Sequence, residues 1–518
     1  MNIKATRPRS LLISLVILIL VGMLLACARS VLPEDSASWR VPGEAVPQPL
    51  AGGAAITTQT PVLLPTRDPS VPILTPTPDN PHPLPTLRTE PLQYVVQPGD
   101  TLGTIAQRYG VNLEEMVGAN SLINPNLLDV GQMLTVPVPT PFGIGPDFKV
   151  IPDSELVYGP ASAAFDVDQF IQSKGGYLSR HREEVDEKST TGAEIVQRVA
   201  DNYSVNPRLL LAVLEYQSGW VTQSKPDEST MKYPIGVRDE WRDSLYRQLA
   251  WAANQLNLGF YLWRVNGVST WLLGDGSVVP IASTVNAGTA GVQQLFSSLY
   301  NREGWEKAVS SEGLFAVYNA MFGYPFDYAI EPLLPSGLRQ PAMLLPFESG
   351  KAWAFTGGPH GGWDAGSAWA ALDFAPPSNA LGCIPSNEWV TASADGQILR
   401  ADHGAVIQDL DNDRLEQTGW VILYMHIETR DRIQPGAYLR AGDRIGHPSC
   451  EGGLASGTHV HLARKYNGEW IPADQQLPFV LDGWVSRGTG SLYDGYLERD
   501  GKIVEAYEGR SPDNIILR

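Results

Sequence analysis

Two histidines one residue apart, His459 and His461 in "GTHVHLARK", carry the clearest chemical signal in this chain. Only eight histidines occur in 518 residues, and six of them lie between positions 360 and 461. In a β-strand, residues i and i+2 point to the same face, so both rings project into one site. One ring can then bind a metal while the other stands beside the reacting water. A catalytic zinc takes three protein ligands and keeps one open position. The stretch "FTGGPHGGWDAGSAWAALDFAPP" (355–377) offers the others: His360, with Asp364 and Asp373 as carboxylate candidates. His426 stands near the end of "GWVILYMHI" (419–427), a run that reads as a buried strand.

Short strands and turns fill the region around these residues, so an antiparallel all-β domain over 340–486 must position them. A short β extension over 487–518 follows. Upstream, 150–335 reads as mostly helical. "GAEIVQRVADNYSV" puts Ile195, Val199 and Tyr203 on one face. "NPRLLLAVLEYQSGW" has Asn206 as N-cap, Pro207 at the first helical position and Gly219 as the stop. "NAGTAGVQQLFSSLY" and "EGLFAVYNAMFG" read as further buried helices. Over 93–139 a strand at Tyr94–Val96, a helix capped by Thr101, a second helix at about Leu113–Asn120 and a closing strand "MLTVP" make a small β-α-α-β unit.

These pieces resemble known families. "VQPGDTLGTIAQRYG", "LEEMVGANSL" and "GQMLTVP" resemble the LysM domain over its whole length. That resemblance implies binding of N-acetylglucosamine-containing glycans, chiefly peptidoglycan. "GGPH…LDFAPP", "YMHI", "AGDRIGH" and "GTHVH" resemble the zinc metallopeptidases of the lysostaphin and β-lytic kind, family M23. The resemblance implies Zn2+ held by His360, Asp373 and His461, with His426 and His459 as catalytic histidines that move protons and steady the oxyanion of a cleaved peptide bond. His360 and Asp364 have the ligand spacing of the commoner branch, and His360 and Asp373 fit the longer β-lytic one. "ALDFAPP" carries the rest of the motif, which favours Asp373 and leaves Asp364 as a loop residue. The helical stretch around 206–220 resembles lysozyme-like lytic transglycosylases, whose helix ends in a catalytic Glu. Gln217 occupies that place here, and Glu215, two residues earlier, is the remaining glycan-cleaving candidate. His82, His181, His403 and His447 fall outside the pattern and read as structural or ordinary polar residues.

The N-terminus places the whole outside the cytoplasm. Lys4, Arg7 and Arg9 precede the apolar run "LLISLVILILVGMLLA", which reads as an export signal. "LLAC" resembles the lipobox of bacterial lipoproteins, which implies lipidation of Cys27 after removal of the signal peptide (1–27) and a membrane anchor. A Pro- and Thr-rich linker (28–92) follows, able to extend on the order of 200 Å. The two other cysteines, Cys383 and Cys450, can pair in an oxidising compartment. A formal net charge of −18 argues against nucleic acid or an anionic membrane surface as partner, while 43% hydrophobic residues mark a globular chain.

The expectation is therefore an exported, lipid-anchored, multidomain zinc endopeptidase that cuts peptide bonds in peptidoglycan and is docked by LysM. A non-catalytic regulator of other wall hydrolases and a glycan-cleaving enzyme acting through Glu215 are the alternatives.

Overall fold

The computed structural model describes residue 82 and residues 88–122, 124–139, 143–378 and 382–518. All belong to the second of two parts into which the chain divides, residues 61–518. The export signal, Cys27 and nearly all of the linker lie outside the described residues. Among the described residues, no helix is long and apolar enough to cross a membrane.

The β-α-α-β unit forms as its sequence predicts. β1 (Leu92–Val95) and β2 (Met133–Val136) pair antiparallel, with Leu92 opposite Val136. Between them lie α1 (Leu102–Tyr109) and α2 (Leu113–Asn120). Thr101 and Thr104 cap α1 reciprocally, satisfying two amide donors that a helix start leaves unpaired. Leu102, Ile105 and Ala106 recur at helical spacing and bury with Val111, Met116 and Leu134. The module rests on a hairpin of the helical region, β3 (Thr270–Leu272) and β4 (Val278–Pro280). The Gln107 side chain donates to the Thr270 carbonyl at 3.0 Å, and the Thr270 hydroxyl donates to the Gln107 carbonyl at 2.8 Å. Val278 donates its amide to Asn112 Oδ1 at 2.8 Å. His82 also meets the helical region, its ring stacked on Trp263 with centroids 3.7 Å apart.

The helical region is built on α3 (Gly192–Tyr203), α4 (Pro207–Ser218), α5 (Leu245–Arg264) and α6 (Ala287–Ser297). α3 buries Ile195, Val199 and Tyr203 along one stripe. α4 has the predicted Asn206 cap, Pro207 at its first position and Gly219 at its end, and it is buried all round from Pro207 to Leu214. That marks it as the central helix of the region.

The C-terminal region centres on a nine-stranded antiparallel sheet. Its strands include β5 (Ala352–His360), β6 (Ala371–Ala375), β7 (Gly396–Asp402), β8 (Ala405–Asp409), β9 (Trp420–Met425), β10 (Tyr438–Leu439), β11 (Val460–Tyr466) and β12 (Ile515–Leu517). The spatial order is β10-β7-β8-β9-β11-β6-β5-β12, with the short strand Glu469–Trp470 beside β11. Alternation sorts the side chains by face. Val421, Leu423, Met425, Ala463 and Ala371 join the core of the helical region. Ile422, Tyr424, Leu462, Leu372 and Phe374 join a second core with Phe347 and Trp353. Both faces are covered, which is why "WVILYM" reads as an unbroken apolar run. The segment after 486 is not a separate extension. Its boundary falls within the strand Trp484–Gly488, and β12 returns to pair with the edge of β5.

Candidate metal centre

β5, β6 and β11 are neighbours in the sheet and bring three of the predicted residues together. His461 lies opposite Asp373 in register, and Met425 lies opposite His461. His360 ends β5. Ligand atoms of His360, Asp373 and His461 all lie within 4.8 Å of one another. His360 Nε2 is 3.2 Å, His461 Nδ1 3.3 Å and His459 Nε2 3.8 Å from Asp373 Oδ1. His426 is brought in differently. It follows β9, where alternation would turn it to the opposite face, but its φ of 65° breaks the pattern. Its ring then stands 4.5 Å from that of His459 and 6.2 Å from that of His461, centroid to centroid.

Each of the four rings has one nitrogen tied to a main-chain carbonyl. His360 Nδ1 meets Gly358 O at 2.8 Å, and His426 Nδ1 meets Glu451 O at 3.0 Å. His459 Nδ1 meets Gly457 O at 2.7 Å, and His461 Nε2 meets Gly362 O at 3.1 Å. A carbonyl can only accept, so each of these nitrogens carries the hydrogen, and in the neutral ring the other nitrogen is left with a lone pair. For His360, His459 and His461 that lone pair points at the Asp373 carboxylate. Gly357 makes room for this carboxylate: a Cβ there would come within 2.5 Å of Asp373 Oδ2.

The charges follow from this geometry. Burial alone would raise the Asp373 carboxyl, but His360 and His459 beside it hold it well below the usual carboxylate range. Burial lowers His360, yet the Asp373 carboxylate overrides that and leaves it raised. His461 is lowered, chiefly by burial. Burial and then the neighbouring His459 and His461 push His426 down to about 3, which keeps it neutral at physiological pH. Asp373 Oδ1 is buried and has no hydrogen-bond donor. A buried anionic oxygen faced by imidazole lone pairs is costly unless a cation sits between them. Two neutral imidazoles and one carboxylate are a donor set that suits zinc.

The other predicted residues fall elsewhere. Asp364 sits in the loop after His360 at φ 58° and accepts from the Tyr203 hydroxyl at 3.1 Å. Cys383 and Cys450 are joined in a disulfide. It ties the segment between β6 and β7 to the loop bearing Glu451, whose carbonyl orients His426. The Glu451 carboxylate reinforces this by accepting from Thr429 N at 2.9 Å and Thr429 Oγ1 at 2.7 Å. Glu215 is remote from these residues in the fold. Its carboxylate accepts from Val221 N at 3.0 Å, Thr222 N at 3.1 Å and Thr222 Oγ1 at 2.5 Å, closing the turn after α4. Gln217 accepts from the Tyr300 hydroxyl at 2.6 Å. His447 is buried against Trp389, His403 is half-exposed near Asp186, and His181 meets Glu183. A second carboxylate set, Asp409, Asp411 and Asp413, lies after β8 and spends its oxygens largely on backbone amides of its own loop.

One residue at the site is missed by the sequence reading. Tyr493 stacks on the His360 ring, centroids 4.2 Å apart, and its carbonyl accepts from Gly358 N at 2.8 Å. Its phenol is raised by burial and then by Asp373. No spacing links "SLYDG" to the histidine motifs, so only the return of the C-terminal segment to β5 reveals it.

Comparison with known proteins finds two family matches in the chain. The LysM domain family matches residues 94–137, and the LasA N-terminal domain family matches residues 149–334. Protease LasA of Pseudomonas aeruginosa is 23% identical over 348 residues, covering 62% of this chain and 74% of that protein. The chain joins a LysM domain to a region homologous with LasA-type and M23-type peptidases. The beta-lytic metalloendopeptidase of Achromobacter lyticus is 28% identical over 181 residues, 32% of this chain and 44% of that protein. The solved structure of the M23 metalloprotease pseudoalterin is 25% identical over 32% of this chain and 96% of its own, with a TM-score of 0.27. The family found over the helical region is thus the LasA N-terminal domain, where "NPRLLLAVLEYQSGW" suggests a lysozyme-like lytic transglycosylase.

Proposed function

We propose that this protein is an extracytoplasmic zinc endopeptidase that hydrolyses peptide bonds of peptidoglycan and is docked on the glycan by its LysM domain. One observation carries the reading. Four imidazoles, each fixed by a backbone carbonyl, gather around a buried carboxylate oxygen that lacks a donor.

His360 Nε2, Asp373 Oδ1 and His461 Nδ1 would hold the metal. Zinc there would supply Lewis acidity toward a peptide carbonyl and make a water nucleophilic near neutral pH. The chain's own residues do the rest. His459 and His426 each present an Nε2 lone pair, and one of them takes the proton released as water adds to the carbonyl carbon. The imidazolium so formed returns that proton to the leaving amine as the C–N bond breaks, which regenerates the neutral ring. The other ring, protonated or donating through water, steadies the oxygen that gains charge. The His426 environment, which opposes protonation, suits a group that gives a proton up readily.

The LysM domain implies affinity for glycans of the chitin and peptidoglycan kind, and docking there would bring the metal centre within reach of peptides attached to them. A lipid anchor at Cys27 belongs to the same proposal and rests on the "LLAC" motif. The test is to incubate the purified protein with purified peptidoglycan, with and without a zinc chelator. New free amino and carboxyl termini in the peptides, lost with chelator and restored by zinc, support the proposal. Chelator-insensitive release of anhydro-sugar fragments would replace it with a glycan-cleaving activity. Absence of release would favour a regulator.

A further inference from the structure

The loop 361–370 joins β5, which ends on His360, to β6, which carries Asp373. Its Gly362 carbonyl accepts from His461 Nε2 at 3.1 Å. This one loop therefore touches all three residues that would hold the metal. Bonds within it include Gly362 N donating to Ala368 O at 3.0 Å, Trp363 N donating to Ser367 Oγ at 2.9 Å and Ser367 Oγ donating to Asp364 O at 3.2 Å. Those bonds give the loop a shape. They do not fix it against His461.

Ala473 of the sheet region donates its amide to the Trp369 carbonyl at 2.7 Å, and further bonds come from the helical region. The Tyr203 hydroxyl, at the end of α3, donates to Asp364 Oδ2 at 3.1 Å. Asn254 on α5 accepts from the Gly366 amide through Oδ1 at 2.6 Å. Gly366 lies so close to α5 that a Cβ there would stand 2.1 Å from the Asn254 backbone oxygen. Behind the loop, a Cβ on Gly362 would stand 2.7 Å from the Trp470 ring. Trp470 in turn donates its amide to the Tyr261 hydroxyl of α5 at 2.9 Å and its indole N–H to the Tyr203 carbonyl at 3.4 Å. Direct contacts thus run from α3 and α5 through the loop to the ring of His461.

We infer that the helical region is a working part of the metal centre: Tyr203 and Asn254 are positioning residues that hold the loop 361–370, and through the Gly362 carbonyl that loop sets the ring of His461. The inference rests on the reading of His461 as a metal ligand. The group that accepts the second N–H of a ligating imidazole fixes its rotation, and losing such a partner costs about 10–100-fold in metal affinity. Here the accepting carbonyl belongs to the peptidase region, while two of the bonds on its loop come from side chains of the helical region.

The test is zinc affinity of the full-length protein, measured by competition with a chromophoric chelator, alongside thermal unfolding. Asn254→Ala removes the acceptor, Gly366→Ala drives a methyl group into the α5 backbone, and Tyr203→Phe removes one hydroxyl. Asn254→Asp keeps the acceptor oxygen. Glu215→Gln perturbs the helical region away from the loop. The inference expects zinc affinity to fall about 10–100-fold in Asn254→Ala and Gly366→Ala and several-fold in Tyr203→Phe. It expects recovery in Asn254→Asp and no change in Glu215→Gln. If Gly366→Ala does not fold, the hydroxyl and acceptor deletions decide the matter alone. Folded variants that bind zinc within twofold of the unsubstituted protein would overturn the inference while leaving the metal site standing. An unsubstituted protein that binds no zinc would overturn the metal site and the inference together.

Discussion

Asp373 and Glu215 are both acidic residues that the sequence offers for catalysis, and their surroundings are opposite. Every identified bond of the Glu215 carboxylate serves the local chain, capping the turn after α4 through Val221 and Thr222. Asp373 Oδ1 has no donor and faces three imidazole nitrogens whose hydrogens are already committed elsewhere. A structural carboxylate spends its lone pairs, whereas a ligating one keeps them directed at a common point. The same contrast separates Gln217, taken up by Tyr300, from His459, whose Nε2 is kept for the site.

The sharpest way to break that comparison is to remove a ligand. His461→Ala or Asp373→Ala should abolish zinc binding and lower chelator-sensitive peptide release from peptidoglycan by three orders of magnitude or more, on the order of 4 kcal/mol of barrier. Zinc content and fragment release measure the two effects. Substitution of the flanking histidines should separate binding from chemistry. His426→Ala and His459→Ala should each retain zinc while kcat falls about 10²–10⁴-fold. Loss of zinc in either variant would move that histidine into the ligand set.

A third change crowds Asp373 without altering it. Gly357→Ala places a methyl group against Oδ2, and zinc affinity should fall about tenfold or more. Protons should compete with the metal, because ligating imidazoles must be neutral. The thermal stabilisation given by zinc should therefore shrink as pH falls, beginning above the ordinary histidine pKa of about 6.5 because His360 is raised. The direction holds for each ligand: His360 carries a raised pKa and so protonates first, while the lowered pKa of His461 keeps it available for longer. Unfolding scans of loaded and chelated protein across that range check the sign. The smallest effect belongs to Glu215→Gln. It weakens the bonds that close one turn, so stability should drop by about 1–2 kcal/mol, with peptide hydrolysis unchanged.

Much of this was legible in the sequence wherever local rules dominate. The caps at Thr101 and Asn206, the glycine stop at Gly219 and the two-residue period at His459 and His461 are set by short-range chemistry, and the fold obeys them. Asp373 was set apart from Asp364 by the "ALDFAPP" motif around it, and the register that puts it opposite His461 came only with the fold. Long-range features were not legible. The site's use of Tyr493 depends on its loop bonding to Gly358 and Pro359 of β5, and no local period encodes that meeting. The left-handed backbone at His426 is invisible to a strand pattern that predicts the opposite face. The longest helix among those described, Leu245–Arg264, carries no chemical motif, yet its Asn254 reaches the loop beside the proposed metal ligands.

Fragment analysis by mass spectrometry tests the central claim most directly. Purified peptidoglycan would be treated with the unsubstituted protein, with His461→Ala, and with chelated protein given back zinc. The account predicts new peptide termini from the first and third samples and none from the second. Equal release of peptide termini by the His461→Ala variant would contradict it.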